Sequence, residues 1–201
     1  MIRNIIFDLG NVLISFRPSE YLDNKDYPAE RKETILKDIF HAPEWFQLDN
    51  GDITLAEAID AINERSSLTK KEIVQIFNLR TDLMFPIDQN VNLLPDLKKR
   101  GYRLFYLSNF PIDIFHKIKS GYSFFNYFDG GIISAEVRFS KPHIRIYEIL
   151  LEKYSLIPEE SLFIDDLEIN VKTAMMIGMK GLVTHGSNEI SNEIKIALSK
   201  D

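Results

Sequence analysis

Ile5-Ile6-Phe7-Asp8-Leu9-Gly10-Asn11-Val12 is an apolar, β-forming run that stops at one carboxylate, then at a glycine and an asparagine. An aspartate at the C-terminal edge of a buried strand sits where open α/β sheets bind their ligands. Two later runs end in the same way. Leu104-Phe105-Tyr106-Leu107 stops at Ser108-Asn109, and Leu162-Phe163-Ile164 stops at Asp165-Asp166, with Lys141-Pro142 between them. Carboxylates suited to a divalent cation, joined to a hydroxyl and an ammonium suited to phosphate oxygens, make a phosphoryl-transfer site.

Outward from these runs the chain alternates between strand and helix. Strand signals cover about Ile2–Phe7, the run to Leu107, Gly131–Ile133, Leu162–Ile164 and Gly181–Thr184. Helical spacing is predicted near Leu93–Arg100 (with a start at Leu94, before Pro95), around Asp113–Lys119, over Ile144–Tyr154, and through Val171, Ala174 and Met175. The tail after Gly186 reads as a weak terminal helix. Such alternation predicts an α/β fold with a parallel, Rossmann-like sheet and right-handed crossovers. From roughly Ser15 to Pro86 the pattern is helical with no strand signal. Ile35, Leu36, Ile39 and Phe40 share one face, as do Leu55, Ala58, Ile59 and Ile62. Thr54-x-x-Glu57 and Thr69-x-x-Glu72 have the form of capping boxes.

Composition narrows the class of partner. The 201 residues suffice for one α/β domain with a modest insertion, and 45% apolar residues with 14 Phe and 8 Tyr can fill its core. A net charge of -6 argues against a nucleic-acid surface. Lys98-Lys99-Arg100, the densest basic run, reads as a solvated helix end complementing the helix dipole. The absence of Cys rules out disulfides and thiol catalysis and fits a reducing, cytoplasmic setting. The start Met1-Ile2-Arg3-Asn4 lacks the form of a signal peptide, and no apolar run approaches about 18 residues, so no membrane span is expected.

Asp8-Leu9-Gly10-Asn11-Val12, Ser108-Asn109, Lys141-Pro142 and Asp165-Asp166 resemble, in order, the four motifs of the haloacid dehalogenase-like (HAD) hydrolases. The resemblance runs over essentially the whole chain. It is similar in particular to the small bacterial phosphatases grouped with glucose-1-phosphate phosphatase and with the N-terminal phosphatase domain of soluble epoxide hydrolase. The resemblance implies a HAD core made of residues 1–14 and 88–201, and an inserted helical cap at 15–87 that covers the site and selects the substrate. It implies a Mg²⁺-dependent phosphomonoesterase acting on a small phosphorylated metabolite, such as a sugar 1-phosphate, with no nucleic-acid or membrane partner. Asp8 is then the nucleophile, forming an aspartyl phosphate. Asp8, Asp166 and the backbone carbonyl of Gly10 are Mg²⁺ ligands, and Asp165 is a further ligand or a hydrogen-bonded neighbour. Ser108 and the backbone N–H of Asn109 cradle the phosphoryl group, although Ser-Asn at a strand end is also a common helix N-cap. Lys141 supplies a point charge to the phosphate and the acidic pair. Asn170 either orients Asp166 or is solvated. His116, His143 and His185 match no ligand spacing and read as structural. Trp45, Phe46 and Leu48 read as cap packing.

One position departs from the family pattern. Most phosphatases of the family carry a second aspartate where this chain has Gly10. That aspartate protonates the leaving oxygen and then activates water, assistance worth about 10²–10⁴-fold. Its loss predicts a bias towards good leaving groups, unless a cap residue substitutes. His41, Glu44, Asp49 and Asp52 are the candidates, each of which also reads as ordinary surface. The alternative function is a catalytically weak phosphate-binding or regulatory protein. Carbon–halogen hydrolysis on the same fold needs no cation, so Asp165-Asp166 speaks against it. A phosphoacceptor receiver domain would place its acidic pair before the nucleophile. Neither the substrate nor the oligomeric state follows from the motifs.

Overall fold

The computed structural model describes residues 1–184 and 190–199. Among these the strands are β1 (Asn4–Phe7), β2 (Ile14–Phe16), β3 (Met84–Pro86), β4 (Arg103–Ser108), β5 (Gly130–Ile133), β6 (Ser161–Asp165) and β7 (Lys180–Val183). Five of them form one sheet in the order β5-β4-β1-β6-β7, and every pairing in it is parallel. The chain leaves β1 for β4 and β5 on one side, then returns to β6 and β7 on the other. The crevice at the C-terminal ends of β1, β4 and β6 is therefore a topological switch point.

Strand alternation sends side chains into two layers. Ile5, Phe7, Leu104, Tyr106, Leu162 and Ile164 pack on one face of the sheet. Ile6, Phe105, Leu107 and Phe163 pack on the other, with Tyr147 and Leu150. Burying each of these large side chains contributes roughly 1.5–3 kcal/mol. The helices of the two layers are α6 (Asp88–Val91), α7 (Leu94–Lys99), α8 (Ile112–Gly121), α9 (Ser134–Val137), α10 (Ile144–Tyr154), α11 (Glu168–Met176) and α12 (Ile190–Ser199). The spacing-derived bounds of α10 and the start of α7 coincide with the structure, and the terminal helix is present as α12.

Five α-helices precede them in the chain, between β2 and β3: α1 (Pro18–Asp23), α2 (Ala29–Ile35), α3 (Pro43–Asn50), α4 (Leu55–Arg65) and α5 (Lys70–Asn78). They bury their own apolar centre, in which Trp45, Phe77, Ile62, Ile73 and Leu22 meet. Trp45 stacks between Phe16, at 5.6 Å, and Phe77, at 6.0 Å. Both capping boxes form. Thr54 and Thr69 each accept the N–H three residues on, while Glu57 and Glu72 reach back to the cap. Helix α3 ends on Gly51, whose φ of 74° suits glycine.

The expectation of no strand between Ser15 and Pro86 is corrected at both ends. Ile14–Phe16 pairs antiparallel with Met84–Pro86, so the helical segment leaves and rejoins the core through a two-stranded ribbon. Strands of three residues are too short to show a period of two. His185 lies outside the described residues. No helix among the described residues is long and apolar enough to cross a membrane.

Candidate active site

Each functional side chain is delivered by the end of a strand or the loop after it. Asp8 follows β1 directly, and its N–H continues the ladder by donating to the Ile164 carbonyl at 2.8 Å. The chain then turns. Leu13 and Ile14 donate back to the Leu9 carbonyl, and Asn11 adopts φ 53°, a left-handed conformation that asparagine tolerates better than most residues. The Asn11 side chain fixes this turn by accepting from the Phe16 N–H at 3.1 Å, and its amide donates to Asp166 at 3.4 Å. The bonds of the turn run through the Leu9 carbonyl and the Asn11 N–H rather than the carbonyl of Gly10.

Asp8 is buried and heavily partnered. Its Oδ1 accepts from the Ser108 hydroxyl at 2.7 Å, the Leu9 N–H at 2.7 Å and the Lys141 ammonium at 2.9 Å. Three donors thus converge on Oδ1. Lys141 also contacts Asp165 at 2.5 Å, and both side chains are almost wholly buried. Asp165 is held further by the Leu167 N–H at 2.8 Å and by the Asn170 amide at 3.0 and 3.1 Å. This corrects the expectation for Asn170, whose side chain orients Asp165 and not Asp166. Tyr147 in turn holds the Asn170 carbonyl at 2.9 Å.

Asn109 has a second use beyond its backbone. Its side-chain amide donates to the Lys141 carbonyl at 2.9 Å and accepts from the Lys141 N–H at 2.8 Å. This reciprocal pair locks the Lys141 loop to the end of β4. Helix α8 starts only at Ile112, with Pro111 at its N-cap, so Ser108-Asn109 does not cap it.

The electrostatics are those of crowded anions. Burial pushes the Asp8 carboxyl up to about 7; Lys141 and Ser108 oppose that rise and Asp165 adds to it. Burial and Asp165 raise Asp166 as well, partly offset by Asn11. Burial works against the Lys141 ammonium, but Asp8 and Asp165 outweigh it and hold Lys141 charged. Carboxylate oxygens of Asp8, Asp165 and Asp166 lie within 4.8 Å of one another. Three carboxylates against one ammonium leave two negative charges uncompensated, which suits a divalent cation. Oxygen-only donors with few protein ligands suit Mg²⁺.

The four residues considered as substitutes for a second acid separate cleanly. His41 is exposed, and so is Asp52, which lines the wide cleft beside Lys141 but not the cavity beside Gly10. Glu44 is taken by Arg65, at 2.7 and 3.1 Å, which holds its carboxyl below the ordinary value. Asp49 alone shares a cavity of about 80 Å³ with Gly10, walled by Ile14, Phe16, Trp45, Met84 and Phe110. It also lines a wider cleft of about 530 Å³ with Lys141, Asn109 and the exposed Phe46. Burial pushes the Asp49 carboxyl up to about 7, with Arg80 opposing and Asp8 adding. The parts that sequence reasoning missed are asparagine side chains and Arg80, whose partners are set only by the folded chain.

A model of the haloacid dehalogenase-like hydrolases matches residues 2–178. A sesquiterpene phosphatase of Aspergillus oryzae is 29% identical over 177 residues, covering 88% of this chain and 87% of its own. A glyceraldehyde 3-phosphate phosphatase of Methanothermobacter thermautotrophicus is 35% identical over 103 residues, 50% of this chain and 45% of its own. A HAD family enzyme of Bacteroides thetaiotaomicron, solved with magnesium and inorganic phosphate, superposes with a TM-score of 0.75 at 26% identity, covering 96% of this chain and 98% of its own.

Proposed function

The chain belongs to the haloacid dehalogenase-like hydrolases, and from that premise we propose that it hydrolyses phosphomonoesters of small metabolites with Mg²⁺, through an aspartyl phosphate on Asp8. The observation that carries this reading is the convergence of Ser108 and Lys141 on one oxygen of Asp8, beside a three-carboxylate cluster. The two phosphatase relatives and the magnesium- and phosphate-bound neighbour support it.

In this reading Asp8, Asp166 and the carbonyl of Gly10 hold Mg²⁺, with Asp165 in the layer behind. When bound, the cation neutralises the carboxylates and the phosphoryl oxygens, so that one anion can approach another. The Asp8 carboxylate attacks phosphorus, the bond to the leaving oxygen breaks, and water then attacks the phosphorus of the aspartyl phosphate to release inorganic phosphate. The Ser108 hydroxyl, the Asn109 N–H and the Lys141 ammonium bind the phosphoryl oxygens and hold phosphorus in line. Residues 15–87 act as the cap. Its contribution to the cavity beside Gly10 is apolar apart from Asp49.

Two substrate classes follow. The resemblance to glucose-1-phosphate phosphatases favours a sugar 1-phosphate, whereas the walls of Phe16, Trp45, Met84 and Phe110 favour a hydrocarbon alcohol. A panel of sugar 1-phosphates, prenyl and short alkyl phosphates, and p-nitrophenyl phosphate, assayed with Mg²⁺ and with chelator, tests both. Mg²⁺-dependent phosphate release that is lost in Asp8→Asn is expected. Phosphate binding without turnover on any member would favour the phosphate-binding alternative.

A further inference from the structure

The position that lacks an acid is an open one. A Cβ built on Gly10 meets no atom within 4 Å, and its backbone is not in the left-handed range, so the site has room for a side chain it does not carry. The room is part of the small cavity at the ends of β1 and β4. Among the described residues lining that cavity, Asp49 is the one with a titratable side chain.

Asp49 comes from the helical segment, yet the core fixes it. The Ser134 hydroxyl donates to the Asp49 carbonyl. On the next residue, Asn50 Oδ1 accepts from the Ser140 hydroxyl at 2.9 Å, and Ser140 immediately precedes Lys141. Gly51 then passes so close to the core that a Cβ there would stand 2.7 Å from the Ala135 carbonyl oxygen. The C-terminal turn of α3 is thus pinned from Asp49 to Gly51, against the end of β5 and the loop that carries Lys141.

Arg80 supplies a second, independent sign. It is almost completely buried, its Nε donates to the Phe77 carbonyl, and its Nη2 pairs with Asp113 of α8 at 2.9 Å. Its Nη1 is buried with no hydrogen-bond partner among the described residues. A guanidinium held there, within electrostatic reach of Asp49, stabilises the carboxylate whenever Asp49 has given up its proton.

We propose that Asp49 takes over the acid–base role left empty at Gly10, an inference that rests on the phosphatase reading above. As the Asp8 carboxylate bonds to phosphorus and the bond to the leaving oxygen breaks, the Asp49 carboxyl gives its proton to that oxygen, so the alcohol departs neutral. Water then attacks the phosphorus of the aspartyl phosphate and loses one proton to the Asp49 carboxylate. The bond from phosphorus to Asp8 breaks, and phosphate leaves with Asp8 ionised and Asp49 reprotonated. A carboxyl raised by burial to about 7 is poised near neutral pH to give that proton and to take one back. The bias towards good leaving groups that Gly10 predicts is thereby cancelled, because the acid lines the same cavity.

The test separates this role from the phosphatase reading itself. Wild type and Asp49→Asn are compared on an alkyl phosphate and on p-nitrophenyl phosphate, whose leaving group needs no proton. Loss in Asp49→Asn of about 10²–10⁴-fold in kcat/KM on the alkyl ester, with less than about tenfold loss on the nitrophenyl ester, is the expected result. Acid-quenched Asp49→Asn turning over p-nitrophenyl phosphate should also carry more phosphate on Asp8 by intact mass, since water attack lacks its base. Gly10→Asp placed in Asp49→Asn should restore alkyl turnover, and circular dichroism reports whether each variant is folded. Equal losses on both esters, or none, with wild type active would overturn the role of Asp49 while leaving the hydrolase intact. An inactive wild type would remove both readings. Should Asp49→Asn not fold, Asp49→Ala decides by the same comparison: a loss confined to the alkyl ester supports the role, and equal losses on both esters, or none, overturn it.

Discussion

The carboxylates of the sheet core and those of the helical segment are held in opposite directions. In the core, burial and mutual repulsion push Asp8 up to about 7 and raise Asp166. Between β2 and β3, hydrogen bonds and guanidinium partners lower Glu44, Glu57 and Glu72, the last to about 2. The first group stores electrostatic tension of the kind a divalent cation relieves. The second group closes capping boxes and surface pairs and is already satisfied. Asp49 belongs to the helical segment by chain and to the core by behaviour, which is why it stands out.

The largest effect that would break this contrast is on turnover. Asp8→Asn should reduce phosphate release by at least about 10⁴-fold, since removing a nucleophile costs on that order or more. Excess chelator should abolish it in the wild type. Residual activity near wild type in either case would move the chemistry out of the core.

Stability comes next. Lys141→Met leaves Asp8 and Asp165 buried without their ammonium. Loss of one partner from a buried charge cluster costs about 3–5 kcal/mol, which urea unfolding at neutral pH would read. A loss below about 1 kcal/mol would mean that water already solvates the cluster.

The two groups should also differ in the sign of their pH dependence. Asp8 and Asp49 have folded values near 7, above the ordinary 3.8. The folded protein binds more protons than the unfolded chain between those values, so their contribution is complete below about 3.8 and declines as pH rises towards 7. Mg²⁺ should therefore raise the Tm of the protein more at pH 7 than at pH 5. Equal shifts at both would disprove the crowding of anions. Glu72 acts with the other sign: its contribution is present above 4.5 and is lost as pH falls towards 2. Being well exposed, it should yield a small change.

The smallest effect sharpens the comparison on the helical side. Thr69→Ala removes one capping box and should cost about 1 kcal/mol by thermal unfolding, with kcat/KM unchanged. A change in catalysis instead would show that the helical segment transmits strain to the site.

What could be read from the residues follows the same division. The core strands and the convergence of Asp8, Ser108 and the Asp165-Asp166 pair were legible because each apolar run ends in polar side chains, whereas Lys141 was legible through the family motif. Helix α10 and the capping boxes at Thr54 and Thr69 were legible because periodicity and caps are local. The ribbon of β2 and β3 was not, since three residues show no period. Asn170 was aimed at the wrong neighbour of the Asp165-Asp166 pair, because sequence distance does not tell which of two adjacent carboxylates turns towards a helix. Asp49 was one of four equal candidates until folding placed α3 against Ser134 and Ser140.

The ribbon has an architectural consequence. Ile14 and Pro86 are paired partners, so the helical segment begins and ends at nearly one point of the core. From the sheet's side this is a closed loop whose ends are already joined, and the entropy of closing such a loop rises only as the logarithm of its length. Segments much longer or shorter than this one would ask almost nothing new of the five-stranded sheet. The ribbon is thus a graft junction: exchanging everything between two three-residue strands would leave Asp8 and Lys141 in place but would carry Asp49 away with the helices, so on the reading proposed here a new segment must bring its own acid.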